Sequence, residues 1–399
     1  MATRSYLELE EAHGARNYKP LPVVLTRGEG VWVWDVDGRK YLDMLSAYSA
    51  VSHGHRHPRL LDAARRQLDR LTLTSRAFHN DQLGPLCRDL AALCGMELVL
   101  PMNTGAEAVE TAIKAARRWG YRVKKVPPDS ARIIVCDHNF HGRTTTIVSF
   151  STDSSYRDGF GPFTPGFDLV PFDDADAMSA KVGPNTVAVL MEPIQGEAGV
   201  VVPRSGYLRR VRDLCTRHGI LMLADEVQTG LGRTGRTFAC DHEDVRPDAY
   251  ILGKALGGGI VPISAVVADR SLLGVFDPGS HGSTFGGNPL AAAVAREALR
   301  ILEEEHLAER ADRLGAAFRK RLESLVGKGR VAGVRGRGLL NAVVLDPAPG
   351  GARVVAEQLM ERGLLCKETH DHVLRFAPPL VLTEDEQEFA LQILIDVLG

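Results

Sequence analysis

The chain has 399 residues, enough for one large domain with a sizeable core and a smaller one beside it. Its 48 basic side chains nearly cancel its 50 acidic ones, leaving a formal charge of −2 and no bulk field to draw it to nucleic acid or a membrane surface. The six cysteines contain no C-x-x-C pair and no apolar run approaches the ~20 residues of a spanning helix, which argues against a zinc cage, a disulfide framework and a membrane protein.

Residues 1–45 read as an arm and a small hairpin, because Val31 to Arg39 alternate apolar and polar up to an Asp37-Gly38 turn. Glu8, Glu10 and Glu11 come too early for a secretory signal, so a soluble cytoplasmic protein is expected. His53, His55 and His57 fall at alternate positions, but Gly54 and Pro58 make that stretch a loop and no cysteine or carboxylate cluster accompanies it, so no metal is expected. From Leu98 strands and helices alternate. Apolar runs end at Leu100, Cys136, Met191, Ala224 and Leu252, and a helix reaches Trp119 with Ala112, Ile113 and Ala116 on one stripe and Asn103 placed to cap it. That rhythm predicts an α/β fold, a doubly wound and mostly parallel sheet in a large domain over 46–289. After Pro289 a long helix pair reaching about Leu325, then Val343 to Leu345 and Val373 to Phe376, predict a smaller α+β domain over 290–399. Its last helix opens on a capping box, Thr383 to Glu386, with Phe389, Leu391, Ile393, Leu394 and Val397 as its apolar members.

The chemistry gathers around Ala249 to Gly259, where a short apolar run delivers Lys254 into glycines. Such a run reads as a buried parallel strand, which puts the lysine at a strand's carboxyl end, where open α/β sheets bind ligands. Out of bulk water an ammonium shifts toward the neutral amine, the form that attacks a carbonyl. On its own the stretch equally suits a surface lysine on a flexible turn. Its company decides: Ile220 to Glu226 is an apolar run ending in two acids, Asn103 to Glu107 opens a helix, and His281 to Asn288 follows the lysine. An amine for an aldehyde, an acid for a ring nitrogen and backbone amides for a phosphate are the parts of a pyridoxal 5'-phosphate site.

From about His13 to the carboxyl terminus the sequence resembles the class III pyridoxal-phosphate-dependent aminotransferases of fold type I, and within them the branch that acts on ornithine. The stretches that carry the resemblance are Glu192 to Val200 (EPIQGEAGV), Asp225 to Gly230 (DEVQTG), Gly253 to Leu256 (GKAL) and His281 to Thr284 (HGST), in that order. The resemblance implies that Lys254 holds the cofactor covalently, yields it to substrate and then moves a proton at the substrate's amine-bearing carbon. It makes Asp225 the acid facing the ring nitrogen and Gly105 and Ala106 the helix-start amides for the phosphate. Phe140 becomes the ring stacked on the cofactor, with His141 beside it, and Gln228 the neighbour of its phenolic oxygen. Thr284 matches a hydroxyl donated to the phosphate from a neighbouring subunit, which implies a homodimer with shared sites, or a larger oligomer built from it.

For substrates, the resemblance pairs Glu197 with Arg375 while the amine donor is bound and frees the arginine for 2-oxoglutarate. It assigns Arg143 to the carboxylate far from the reacting carbon, and Tyr18 and Tyr48 to the donor's α-amino end. The implied reaction is δ-transamination of L-ornithine to glutamate 5-semialdehyde, with glutamate formed from 2-oxoglutarate. His141 stands where some ornithine enzymes carry tryptophan, and histidine is the choice of acetylornithine enzymes. The donor therefore stays open between ornithine and an N-acetylated or other ω-amine such as 4-aminobutyrate.

Overall fold

The computed structural model describes residues 3–399; Met1 and Ala2, the first two residues of the expected arm, lie outside them. The arm contains a helix that its sequence does not announce, α1 (Thr3–His13), which buries none of its residues. After β1 (Leu25–Glu29) the predicted hairpin follows as β2 (Trp32–Asp35) and β3 (Lys40–Asp43), antiparallel on either side of the Asp37-Gly38 turn, with β1 antiparallel to β2 on its other side.

The central sheet is built from β4 (Leu98–Met102), β5 (Arg132–Cys136), β6 (Phe167–Val170), β7 (Thr186–Met191), β8 (Leu221–Asp225), β9 (Ala249–Leu252) and β10 (Ser264–Ala268), in the order β4-β10-β9-β8-β7-β5-β6. Only β10 runs against its neighbours. Strands β7 to β10 are buried at every position, the pattern of a sheet covered on both faces, so their sequences show no alternation. Because β4, β5, β7, β8 and β9 are mutually parallel, their carboxyl ends open on one edge. The loops after them carry Gly105, Phe140 to Arg143, Glu192 to Glu197, Asp225 to Gln228 and Lys254 to that edge.

The helix after β4, α2 (Gly105–Trp119), corrects one expectation. Thr104, not Asn103, is its cap: the Thr104 hydroxyl accepts from the Glu107 N–H, and Glu107 accepts from the Thr104 N–H at 2.8 Å, a reciprocal capping box. An extended backbone at Thr104 places its hydroxyl over the first turn, whereas Asn103 donates its side-chain amide to Ser283 Oγ at 2.8 Å.

The carboxyl-terminal part begins with the expected helix pair, α3 (Pro289–Glu304) and α4 (Leu307–Glu323). It continues with β11 (Val331–Arg337), β12 (Leu340–Leu345), α5 (Gly351–Glu361), β13 (Leu364–Leu365), β14 (Lys367–Thr369), β15 (Val373–Phe376) and α6 (Glu384–Leu398). The predicted capping box opens α6, with both of its hydrogen bonds present. Phe389, one of the apolar members read in this helix, is exposed and leans on Trp32 at 5.5 Å between ring centroids, because the buried stripe runs through Gln387, Ala390, Leu391, Leu394 and Leu398. The hairpin does not stand apart: β13 pairs in parallel with β3, so residues near both ends of the chain share one sheet. Arg233, wholly buried, links the same regions, donating to Leu339 O and Pro378 O on one side and to Ser52 Oγ on the other.

Candidate active site

At the open edge of the sheet a cavity of about 190 Å³ is walled by Gly105, Ala106, Phe140 to Gly142, Glu192, Ile194, Glu197, Asp225, Val227 to Thr229 and Lys254. All the expected cofactor residues except Thr284 belong to that wall. Thr284 is exposed and lies outside it.

Lys254 stands one residue beyond β9, after Gly253, with a positive φ of 42°. An L-residue held there costs about 1–2 kcal/mol, and such strain collects where the surroundings fix a working side chain. The Lys254 ammonium donates to no protein acceptor among the described residues. Burial pushes its pKa down; Glu197 and Asp225 pull the other way without restoring it.

Asp225, buried at the end of β8, accepts from the Val227 N–H at 3.1 Å and lies 2.6 Å from His141 Nδ1. The imidazole is wholly buried; burial alone would depress its pKa, but the Asp225 carboxylate outweighs that and raises it. The His141 ring is therefore committed to Asp225, and its buried Nε2 has no partner among the described residues. Glu192, which the sequence reading passes over, accepts from the Phe140 N–H at 2.9 Å and so fixes the loop that carries Phe140 and His141. Burial lifts its carboxyl to about 7, against the pull of His141. The signal that could have found Glu192 is its place directly after β7, at the same edge as Asp225 and Lys254.

Arg375 lies on β15, only 1% exposed, and donates to Glu197 Oε1 at 2.6 Å. Burial alone would raise the Glu197 pKa, but the Arg375 guanidinium and the Lys254 ammonium hold it down at about 2. Gln228 also donates to Glu197 Oε1, at 3.2 Å. Gly196 is what lets it approach, since a Cβ there would stand 1.5 Å from Gln228 Oε1. The face of Tyr48 covers the Arg375 guanidinium at 5.0 Å. Tyr48 is delivered by a turn in which Ser46, Ala47, Tyr48 and Ser49 all have positive φ, from 47° to 74°, a strained stretch anchored by Asp43 Oδ1, which accepts from the Leu45 and Ser46 N–H groups.

Arg143 sits outside the wall with three rings around it: Tyr156 at 4.3 Å, Phe140 at 5.8 Å and Tyr18 at 6.0 Å from its guanidinium carbon. Tyr156 meets Phe140 edge-on. Tyr18 is 67% exposed, on a segment that comes in from the arm.

The cavity fits pyridoxal 5'-phosphate on its own geometry. The first-turn amides of Gly105 and Ala106 donate to no protein acceptor among the described residues, and amides at a helix start favour an anion. The Phe140 to Arg143 loop crosses close over that helix start, for a Cβ on Gly142 would lie 2.8 Å from the Ala106 Cβ. A buried carboxylate, an aromatic ring and a depressed-pKa amine complete the set of groups that the cofactor requires.

The profile of the class-III aminotransferases matches residues 13–398. A protein of Geobacillus sp. strain WCH70 named ornithine aminotransferase is 56% identical over 390 residues, 98% of this chain and 97% of its own length. Among solved structures, the ornithine aminotransferase of Toxoplasma gondii superposes with a TM-score of 0.98 at 48% identity, covering 100% of this chain and 95% of that one. The acetylornithine aminotransferase of Elizabethkingia anophelis, also 48% identical, superposes at 0.91 over 100% of this chain and 99% of that one.

Proposed function

The chain belongs to the class-III aminotransferases, and from that premise we propose that it is an L-ornithine:2-oxoacid δ-aminotransferase, passing the δ-amine of ornithine to 2-oxoglutarate through pyridoxal phosphate. The observation that carries this reading is the buried Arg375 covered by Glu197 at 2.6 Å, beside a cavity that must take a diamino acid in one half-reaction and a diacid in the other. Names given to full-length relatives support it.

When bound, the cofactor supplies an aldehyde carbon that condenses with amines and a cationic ring that accepts the electron pair left by a departing proton. The residues divide the remaining work. Lys254 Nζ, shifted by burial toward the free amine, takes the proton from the substrate carbon that bears the reacting amine. Asp225 keeps a proton on the ring nitrogen, and His141 holds that carboxylate in place. Phe140 and Val227 confine the ring, and the amides of Gly105 and Ala106 take the phosphate. Arg143 clamps the carboxylate remote from the reacting carbon, with Tyr18 and Tyr48 at the donor's α-amino end.

A buried guanidinium facing apolar methylenes with no partner costs several kcal/mol, so Glu197 stays on Arg375 while ornithine is bound and yields it when a 2-oxoacid carboxylate arrives. Glu197→Ala is accordingly expected to slow the ornithine half-reaction by about 100-fold and the 2-oxoglutarate half-reaction less than about fivefold. Single-turnover absorbance traces of each half-reaction check this, and equal losses reject the switch.

Thr284, exposed and away from its own cavity, serves the phosphate site of a second copy in this reading, which makes the working form a homodimer in the cytoplasm. The experiment that tests the substrate is the ratio of kcat/KM for L-ornithine and N-acetylornithine. Ornithine is expected to win; a hundredfold preference for the acetylated donor, about 2.7 kcal/mol, rejects it in favour of an acetylornithine enzyme.

A further inference from the structure

The backbone that brings Tyr18 beside Arg143 has little to hold it. Asn17 to Pro20 lie between α1 and β1 in no regular element, and all four residues are exposed. Among the described residues, this stretch is tied to the rest of the chain by hydrogen bonds from one side chain. Arg353, on α5, donates from Nη1 to Lys19 O at 3.0 Å and from Nη2 to Pro20 O at 2.7 Å. These are the two carbonyls that follow Tyr18.

The guanidinium is itself held. Its Nε donates to Glu357 Oε1 at 2.7 Å and its Nη1 also reaches Glu368 Oε1 at 3.3 Å, while the side chain is only 17% exposed. Lys367 shares the same Glu368 oxygen. A planar fork oriented by two carboxylates presents its remaining N–H groups in one direction, so it sets the position of the chain it grips as well as retaining it. Tyr18 could not locate itself, because its ring is 67% exposed and stands 6.0 Å from the Arg143 guanidinium.

We propose that Arg353, braced by Glu357 and Glu368, is a positioning residue for donor selection: it fastens the backbone behind Tyr18 so that the phenol stands beside Arg143 at the distal end of the pocket. The inference rests on the proposed role of Tyr18 at the donor's α-amino end. Arg353 touches neither substrate nor cofactor, and the 2-oxoacid, which has no distal amine, does not depend on it.

The test is steady-state kinetics of the holoenzyme for Arg353→Leu, Arg353→Lys, Tyr18→Ala and the Arg353→Leu/Tyr18→Ala double variant. Arg353→Leu is expected to raise KM for ornithine about tenfold, the loss of two charged hydrogen bonds to the arm, with kcat and the KM for 2-oxoglutarate within about twofold of the parent. Arg353→Lys, which keeps the charge but not the fork, should recover about half of that loss on a logarithmic scale. On the Tyr18→Ala background Arg353→Leu should add less than about twofold, because the two act through one contact. Tryptic cleavage after Arg16 should quicken in Arg353→Leu. If Tyr18→Ala raises the ornithine KM and Arg353→Leu does not, or if the two effects multiply in full, the positioning role is overturned. If Tyr18→Ala itself is silent, the reading of Tyr18 falls and takes the inference with it.

Discussion

Lys254→Ala should lower kcat for transamination by at least about 10⁴-fold, since the variant loses both the amine that holds the cofactor and the base that moves the proton. The expectation follows from the environment of Nζ. Among the described residues it has no hydrogen-bond acceptor in the small cavity it lines, burial depresses its pKa, and the left-handed backbone at φ 42° fixes where the side chain begins. Asp225 and Glu192 line the same cavity, but neither can replace it. Asp225 is committed to His141 at 2.6 Å, and Glu192 to the Phe140 N–H at 2.9 Å. Added methylamine should restore part of the proton-transfer rate by entering the space that the lysine vacates. Borohydride reduction of the parent protein, followed by peptide mapping, should place the cofactor adduct on residue 254 and find none in the variant. A variant retaining more than about a tenth of parental kcat would move the base elsewhere.

Asp225→Asn should cost about 10³-fold in kcat, roughly 4 kcal/mol, with a much smaller change in KM for either substrate. The amide keeps the shape and the hydrogen bond from Val227 but carries no charge, so a proton on the ring nitrogen loses its counterion in a buried site. A second readout separates this electrostatic effect from a loss of folding. Burial alone would depress the His141 pKa, and Asp225 is what raises it; without the carboxylate the imidazole should therefore titrate at lower pH and be neutral across the neutral range. Nuclear magnetic resonance of the labelled histidine measures that shift directly. An Asp225→Asn enzyme within tenfold of the parent, or a His141 titration that does not move, would remove Asp225 from the role assigned to it.

The two residues at the centre of these predictions were legible before the fold was known, and for a local reason. A buried strand at the middle of an α/β sheet is a short uninterrupted apolar run, and Lys254 and Asp225 each stand at the end of one. The same logic located β5, β7, β8 and β9, the helix pair after Pro289 and the capping box of α6. It passed over β6, whose apolar run Asp168 interrupts, and β13, whose two residues carry too little pattern, and it missed β10 although all five of its residues are buried. It also chose Asn103 as a helix cap, because two polar residues precede the helix and only the backbone angles at Thr104 show which hydroxyl lies over the first turn. In α6 it grouped Phe389 with the apolar members by its hydrophobicity, although the buried stripe passes through its neighbours.

The class of architecture and the reactive groups are written locally, since hydrophobic periodicity, strand ends and helix starts are properties of neighbouring residues. The tertiary structure decided which of those groups meet. Arg375 and Glu197, His141 and Asp225, Glu192 and the Phe140 amide, and Arg353 and the carbonyls after Tyr18 are pairs drawn from distant parts of the chain. Their energies depend on distance and on the exclusion of water, and both come into being only when the arm and the carboxyl-terminal strands pack beside the sheet edge that carries the cavity.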